Sequence, residues 1–115
     1  MQKFERLKSK KKIAFIFDSG TSVSSFPIKL FFIKNSHQER SGVTFTVGKK
    51  TLTKAVDRNK IKRLMREVFR LNFLEEKVFL GHSLVFVFLG KEAGAFDFVK
   101  KGFFGVFKKF VSIKN

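Results

Sequence analysis

The sequence predicts an α+β fold in which one β-sheet packs against helices, within a single domain that spans residues 1–115. Apolar residues make up 43% of the chain, with 18 phenylalanines among them, which is enough to fill one core. Runs of β-branched and aromatic residues alternate with segments whose apolar residues recur every three or four positions. The predicted order of elements is therefore α-β-β-β-α-β-α, a sandwich of sheet and helices.

The first half of the chain is predicted to contain one helix and three strands. Residues 9–17 favour a short helix, with Ser9 as the N-cap and Gly20 just beyond its end. Three segments have the composition of strands, and the first ends at Pro27, which suits an edge strand. They are TSVSS (21–25), IKLFFIK (28–34) and VTFTV (43–47).

The second half is predicted to contain a basic helix, a central strand and a terminal helix. The segment SLVFVFLG (83–90) is continuously apolar, as is typical of a strand buried on both faces. From residue 96 to 111, apolar residues recur at helical spacing. Gly102 and Gly105 each weaken that helix by about 1 kcal/mol, so tertiary packing has to stabilise it.

The basic segment that precedes the central strand combines helical periodicity with a high density of positive charge. On a helix over residues 58–73, at ~100° per residue, one side is apolar and the other is cationic. The apolar side comprises Ile61, Leu64, Met65, Val68, Phe69 and Leu71. The opposite side, the cationic ridge, comprises Arg58, Asn59, Lys62, Arg63, Arg66 and Arg70. We predict that the apolar side packs on the sheet and that the cationic ridge faces outward.

The cationic ridge belongs to a chain with 25 Lys and Arg against 9 Asp and Glu, a formal net charge of +16. Only Glu67, four residues after Arg63, is expected to neutralise the ridge locally. A polyanionic partner would relieve the self-repulsion, and guanidinium groups match the geometry of phosphates. Nucleic acid is therefore the first candidate for a partner, and an anionic membrane surface is the second.

Several classes of site are not predicted. The absence of cysteine excludes disulfides, thiolate metal sites and cysteine nucleophiles. His37 and His82 have no second ligand at a useful spacing, and no carboxylate pair is placed for acid–base catalysis. We therefore predict no catalytic residue and no metal ligand in this chain. No run approaches the ~18 apolar residues of a membrane span, so we expect a cytoplasmic protein without a membrane partner.

The segment KKTLTKAVDRNKIKRLMREVFRL, residues 49–71, resembles the signature region of the bacterial ribonuclease P protein component. In that family a Lys-Lys pair after a strand leads into a helix bearing Arg-Asn-x-x-Lys-Arg-x-x-Arg. The matching residues here are Arg58, Asn59, Lys62, Arg63 and Arg66, with Lys49 and Lys50 upstream. The resemblance extends from about Leu7 to the C-terminal helix.

This resemblance implies a protein subunit of an RNA-based endonuclease that removes the 5′ leader from precursor tRNA. The catalytic centre and its Mg²⁺ ions are then held by the RNA subunit, the partners are that RNA and precursor tRNA, and no protein partner is implied. The implied fold resembles the second domain of ribosomal protein S5, with a left-handed strand–helix–strand crossover against the usual rule. The residues implied to bind the RNA subunit are Lys49, Lys50, Lys54, Arg58, Asn59, Lys62, Arg63, Arg66 and Arg70.

The resemblance further implies a cleft between the first helix and the sheet, where bases of the leader stack on aromatic rings. The matching positions are Ile13, Phe17 and Phe31, and the family commonly has Phe where this chain has Ile13. Because Ile cannot stack as a ring does, Phe15 is an alternative for that contact. Lys29, on the strand of Phe31, is a further candidate. The competing interpretation of Phe17 and Phe31 is ordinary core packing.

Two other functions remain open at the level of the residues. A plain RNA-binding module, such as a ribosomal protein, would not distinguish precursor tRNA from mature tRNA. A cationic membrane-surface protein would need a broad exposed apolar face beside its positive charge.

Overall fold

The protein is described by a computed structural model that covers residues 4–36, 40–92 and 96–114. Its elements, in chain order, are β1 (Glu5–Arg6), α1 (Lys10–Ser19), β2 (Thr21–Ser25), β3 (Ile28–Lys34), β4 (Gly42–Val47), α2 (Ala55–Asn72), a 3₁₀ turn (Lys77–Phe79), β5 (His82–Phe88) and α3 (Phe96–Lys114). The predicted α-β-β-β-α-β-α order is confirmed. It is preceded by the two-residue strand β1, which was not predicted.

The five strands form one mixed sheet in the order β1-β4-β5-β3-β2. β3 is antiparallel to both β2 and β5, whereas β4 is parallel to β5 and β1 is parallel to β4. β5 is therefore central and β2 lies at an edge, as predicted. Because β4 and β5 are parallel, α2 connects them as a crossover. The left-handed sense of that crossover stays a prediction.

The core lies between one face of the sheet and the helices α2 and α3. α2 packs against β4, α3 packs against β2 and β3, and the two helices contact each other. The ring of Phe69 on α2 lies 5.9 Å from Phe45 and 5.7 Å from Phe86, while Phe103 on α3 lies 4.6 Å from Phe86, between centroids. Such pairs contribute about 0.5–1.5 kcal/mol each beyond the burial of their area, which explains the use of so many phenylalanines.

Two glycines let α3 approach the β2–β3 hairpin closely. A Cβ atom added at Gly102 would lie 2.8 Å from Ile28 Cγ1 and 2.9 Å from Pro27 Cδ, and one at Gly105 would lie 2.6 Å from Ser25 Cβ. These distances are shorter than van der Waals contact, so a side chain at either position would displace the helix. The close packing compensates for the low helix propensity of both glycines.

α1 lies against β3 on the opposite face of the sheet. Ser9 caps it as predicted, because Ser9 Oγ accepts a hydrogen bond from the backbone N–H of Lys12 at 3.2 Å. At the other end, the N–H of Gly20 donates to the carbonyl of Ile16 at 2.8 Å. Ile16 is fully buried under α1, whereas most neighbouring side chains of this helix are exposed. In the ranges given above, no helix has the length and apolar character needed to cross a membrane.

The predicted burial of Leu71 is wrong. Leu71 is 57% exposed, whereas Ile61, Met65, Val68 and Phe69 on the same helix are fully buried. At ~100° per residue, Leu71 lies about 100° away from the centre of those four residues. It therefore points along the side of α2 instead of toward the sheet.

Candidate nucleic-acid interface

The outer side of α2 presents the cationic ridge to solvent. Four of its residues are exposed and Lys62 is half-buried; the exposed ones are Asn59, Arg63, Arg66 and Arg70. On the opposite side, Ile61, Met65, Val68 and Phe69 are buried in the core. Because that packing fixes the rotation of the helix about its axis, the cations point in a fixed direction.

Within the described ranges, a carboxylate neutralises the cationic ridge at one position. Glu67 forms an ion pair with Arg70, and both side chains are about half exposed, at 45% and 53%. We predicted Arg63 as the partner of Glu67, and this is wrong. Arg63 lies four residues before Glu67 and Arg70 lies three residues after it, so both are within reach on the helix surface. The ion pair forms with Arg70. An exposed pair of this kind contributes at most about 1 kcal/mol. The rest of the ridge keeps its positive charge.

Arg58 differs from the other residues of the cationic ridge, because its guanidinium is bonded to the protein backbone. Nη1 of Arg58 donates to the carbonyl oxygens of Leu52 and Thr53, each at 2.8 Å. At ~100° per residue, Arg58 lies about 60° from Ile61 around the helix, and so it is near the buried side. The outward placement predicted for Arg58 therefore does not hold. The side chain is half-buried and braces the loop before α2.

The loop between β4 and α2 carries three more of the predicted cations, all exposed. They are Lys49, Lys50 and Lys54. The N–H of Leu52 donates to the carbonyl of Gly48 at 3.1 Å, and the side chain of Leu52 is only 4% exposed. With the two bonds from Arg58, these contacts hold the loop at both ends. The lysines therefore extend from an ordered loop beside the N-terminus of α2.

A groove of about 840 Å³ connects the cationic ridge with the N-terminal segment. The cations that line it are Arg6, Lys8, Lys10, Lys62 and Arg66. Its apolar lining includes Leu7, Ile13 and Val43. Strand β1 holds the segment in place, because the N–H of Leu7 donates to the carbonyl of Val43 at 3.0 Å. The interface is thus wider than α2 alone.

Three of the groove cations were absent from the predicted site, and the two-residue strand that carries the first of them leaves no periodic pattern. They are Arg6, Lys8 and Lys10. One signal was present in the sequence: lysines at the N-terminus of α1, beginning with Lys10, oppose the helix dipole, so helix stability does not explain them.

On the other face of the sheet, Phe17 of α1 meets Phe31 of β3. The ring centroids are 4.9 Å apart and the ring planes make an angle of 70°. Phe17 is 42% exposed, which argues against core packing. Nζ of Lys29 lies 4.9 Å from the centroid of Phe31, and Ile13 precedes Phe17 by one helical turn. The structure therefore brings the three predicted leader positions to one side of α1, with a cation beside them.

Phe15 does not belong to this cluster. At ~100° per residue it lies about 160° from Phe17 around α1, and its ring is 56% exposed. The alternative in which Phe15 takes the place of a ring at Ile13 is therefore incompatible with the direction of the side chains.

His82 is not grouped with other potential metal ligands among the described residues. His82 is 6% exposed at the start of β5, and its ring lies 5.3 Å from the ring of Phe110. His37 lies outside the described residues. Across residues 4–36, 40–92 and 96–114, no group of three or more His, Cys, Asp or Glu side chains is placed to hold a metal ion.

Comparison with known proteins identifies the family. The family model described as Ribonuclease P matches residues 1–110. The chain belongs to the ribonuclease P protein family. A ribonuclease P protein component from Alkaliphilus metalliredigens is 33% identical over 87 residues, which cover 76% of this chain and 75% of the relative. A second, from Caldanaerobacter subterraneus, is 35% identical over 95 residues, covering 82% and 78%.

The fold agrees with solved structures of this family. The RNase P protein from Thermotoga maritima superposes with a TM-score of 0.73 at 29% identity, covering 91% of this chain and 96% of that one. The Staphylococcus aureus RNase P protein superposes with a TM-score of 0.76 at 23% identity, covering 90% and 93%, and shows the likeness of fold. The family inferred from residues 49–71 and the α+β class are both confirmed.

Proposed function

We propose that this chain is the protein subunit of ribonuclease P, which acts in the cytoplasm with a catalytic RNA subunit and precursor tRNA. It binds both RNAs and assists endonucleolytic removal of the 5′ leader, which forms the mature 5′ end. The catalytic centre and its Mg²⁺ ions belong to the RNA subunit in this proposal, and this chain supplies no catalytic residue. The observation that carries the proposal is the exposed, almost unneutralised cationic ridge within the family's signature segment.

The cationic ridge and the loop before it are the proposed dock for the RNA subunit. Residues four apart on a helix rise by ~6 Å, so Lys62, Arg66 and Arg70 offer a row of regularly spaced donors. Guanidinium groups bind phosphates through two parallel hydrogen bonds, which a lysine ammonium cannot do. Asn59 adds an amide that can donate to and accept from a base or sugar edge. Arg58 acts mainly by holding the lysine-bearing loop in position.

The cluster of Ile13, Phe17 and Phe31 is the proposed binding site for the leader. An exposed ring with a second ring and a cation beside it suits unpaired bases, because stacking contributes ~1–3 kcal/mol per base and tolerates any sequence. Ile13 supplies an apolar contact without stacking. Phe17 and Phe31 lie on the face of the sheet opposite to α2, whereas Ile13 also lines the groove beside the cationic ridge. A leader stacked on the two rings and an RNA subunit on α2 can therefore be bound at the same time.

The dock is tested by replacing Lys62, Arg63 and Arg66 with Ala and measuring affinity for a bacterial catalytic RNA over a range of salt concentrations. Each lost phosphate contact lowers the salt-dependence slope by ~0.7–0.9, so we expect a decrease of about 2–3. The matched control replaces Lys34, Lys77 and Lys91 with Ala. These three lysines are exposed, and their replacement removes the same amount of charge. A folded ridge variant with an unchanged slope, or an equal decrease in the control, would contradict the proposal.

The leader site is tested with Phe17→Ala in the reconstituted holoenzyme. We expect weaker binding of precursor tRNA, unchanged binding of mature tRNA and a thermal stability close to that of the parent chain. If the unaltered protein gave the same affinity for both tRNAs, a plain RNA-binding module would be the better description. Binding to anionic vesicles that persists in excess RNA would favour the membrane-surface alternative instead.

A further inference from the structure

α3 carries a second group of lysines, which the proposed function does not use. This helix contains Lys100, Lys101, Lys108, Lys109 and Lys114 but a single acid, Asp97. In the described part of the chain, no ion pair joins the first four of these lysines to a carboxylate. These lysines add to the self-repulsion of a chain with a net charge of +16, so the stability of the protein does not explain their number.

Two exposed phenylalanines flank these lysines. Phe98 is 39% exposed and Phe104 is 38% exposed. At ~100° per residue, Lys101 and Lys108 lie about 20° apart around α3, with Phe98 about 60° to one side and Phe104 about 60° to the other. We call Phe98, Lys101, Phe104 and Lys108 the α3 surface. It combines cations with aromatic rings, the composition that binds unpaired RNA.

Neighbouring side chains support both rings from the side. Phe104 lies 4.9 Å from Phe73, between centroids, and Nζ of Lys100 lies 5.9 Å from the centroid of Phe104. Phe98 lies 5.9 Å from Phe26, whose own ring is 66% exposed in the β2–β3 turn. Phe104 is thus supported by the buried ring of Phe73, Phe98 has Phe26 beside it, and both rings leave part of their surface to solvent. Rings in this state can accept a stacked base without first being ordered.

The backbone under the α3 surface is also held firmly. Gly102 and Gly105 seat α3 on the hairpin, and Nζ of Lys109 donates to the carbonyl of Ser24 on the edge strand β2. Lys109 is therefore engaged with the protein. Lys101 and Lys108 are exposed and remain available to a ligand.

The α3 surface is separate from the two surfaces of the proposed function. α1 lies on the opposite face of the sheet, and α3 meets α2 at the end of that helix, where Phe104 contacts Phe73, about 10 Å along α2 from Arg66. A ligand on the α3 surface therefore does not have to displace RNA from the cationic ridge or from the Phe17–Phe31 pair.

We propose that the α3 surface binds single-stranded RNA, with phosphates at Lys101 and Lys108 and bases against Phe98 and Phe104. The rise between the two lysines is ~10 Å, long enough for a strand to contact both. Exposed rings favour unpaired bases over a duplex, whose bases are already stacked. An anionic membrane fits less well, because the apolar side of α3 is buried against the sheet and cannot insert. This inference extends the proposed function but does not depend on docking to an RNA subunit.

The test uses the full chain in which Lys62, Arg63 and Arg66 are already replaced by Ala, so that the cationic ridge does not mask other sites. The probe is a fluorescent oligouridylate of a dozen nucleotides, with binding followed by anisotropy. Adding Lys101→Gln and Lys108→Gln should lower affinity on the order of tenfold at low salt and reduce the salt slope by ~1.4. Phe104→Leu, which keeps an apolar side chain, should lower affinity about fivefold.

The matched control adds Lys34→Gln and Lys77→Gln to the same background and removes the same charge. Circular dichroism melts verify that each variant is folded, and Phe98→Leu replaces Phe104→Leu if the latter unfolds. An equal loss in the control, or no loss in the α3 variants, overturns the inference. The inference is also overturned if an α3 variant keeps its affinity for the oligouridylate but loses binding to phosphatidylserine vesicles. Because the cationic ridge is absent from every variant, none of these outcomes bears on the proposed dock.

Discussion

Replacing Arg58 by Ala should destabilise the fold, although Arg58 is part of a segment proposed to bind RNA. Its guanidinium donates two hydrogen bonds of 2.8 Å to the carbonyls of Leu52 and Thr53. Hydrogen bonds from a charged donor contribute ~1.5–3 kcal/mol each when buried. Since one of these is solvent-exposed, we expect a total loss of about 2 kcal/mol. At ~4 °C per kcal/mol for a chain of this size, the midpoint of thermal unfolding should fall by about 8 °C.

The matched control for this prediction is Arg66→Ala, which removes the same charge from an exposed position of the same helix. A substitution at an exposed position of this kind changes the free energy of unfolding by no more than ~0.5 kcal/mol. Both variants remove one positive charge from a chain of charge +16, so both relieve self-repulsion by a similar amount. Urea unfolding followed by circular dichroism measures both variants. If the two free energies of unfolding agree within error, the bonds from Arg58 do not hold the loop and the reasoning is refuted.

Three other substitutions test the packing and the leader cluster. Gly102→Ala should lower the free energy of unfolding in urea. Overpacking against Ile28 and Pro27 costs ~1–3 kcal/mol, which outweighs the ~1 kcal/mol gain in helix propensity. A more stable variant would contradict the close approach of α3 to the hairpin. Ser9→Ala should cost ~0.5–2 kcal/mol of thermal stability through the lost N-cap, whereas Ser9→Thr should retain most of it. Ile13→Phe should raise the affinity of the holoenzyme for precursor tRNA about fivefold by adding a stacking ring, with mature tRNA as the control that should not change.

Periodic segments could be predicted from the sequence because their pattern and their packing agree. β5 reads as continuously apolar and lies in the middle of the sheet, and α3 shows the apolar stripe that it buries. β1 could not be found in this way. Two residues carry no period, and the strand exists only because the backbone of Glu5 and Leu7 finds partners on β4 and on Ser41 just before it.

The contacts of individual side chains in the site could not be predicted, because a helical wheel does not show which groups from other parts of the chain lie nearby. A wheel places Arg58 by angle alone, and it does not show that the loop carbonyls before α2 lie within reach of the guanidinium. It offers Arg63 and Arg70 equally to Glu67, and only the structure chooses Arg70. By contrast, the exposure of Arg63 and Arg66 followed directly from the burial of the opposite side of α2.

α1 lies against β3 on one face of the sheet and α2 lies against β4 on the other, and the strand between them, β5, is paired along both edges. A strand bonded along both edges cannot slide without breaking several hydrogen bonds at once, so this slab is stiff. The distance from the arginines of α2 to the ring of Phe17 is therefore fixed by the sheet. With the RNA subunit on α2 and the leader at Phe17, as proposed above, the protein would hold the two RNAs at one fixed separation whatever the nucleotide sequence of the leader.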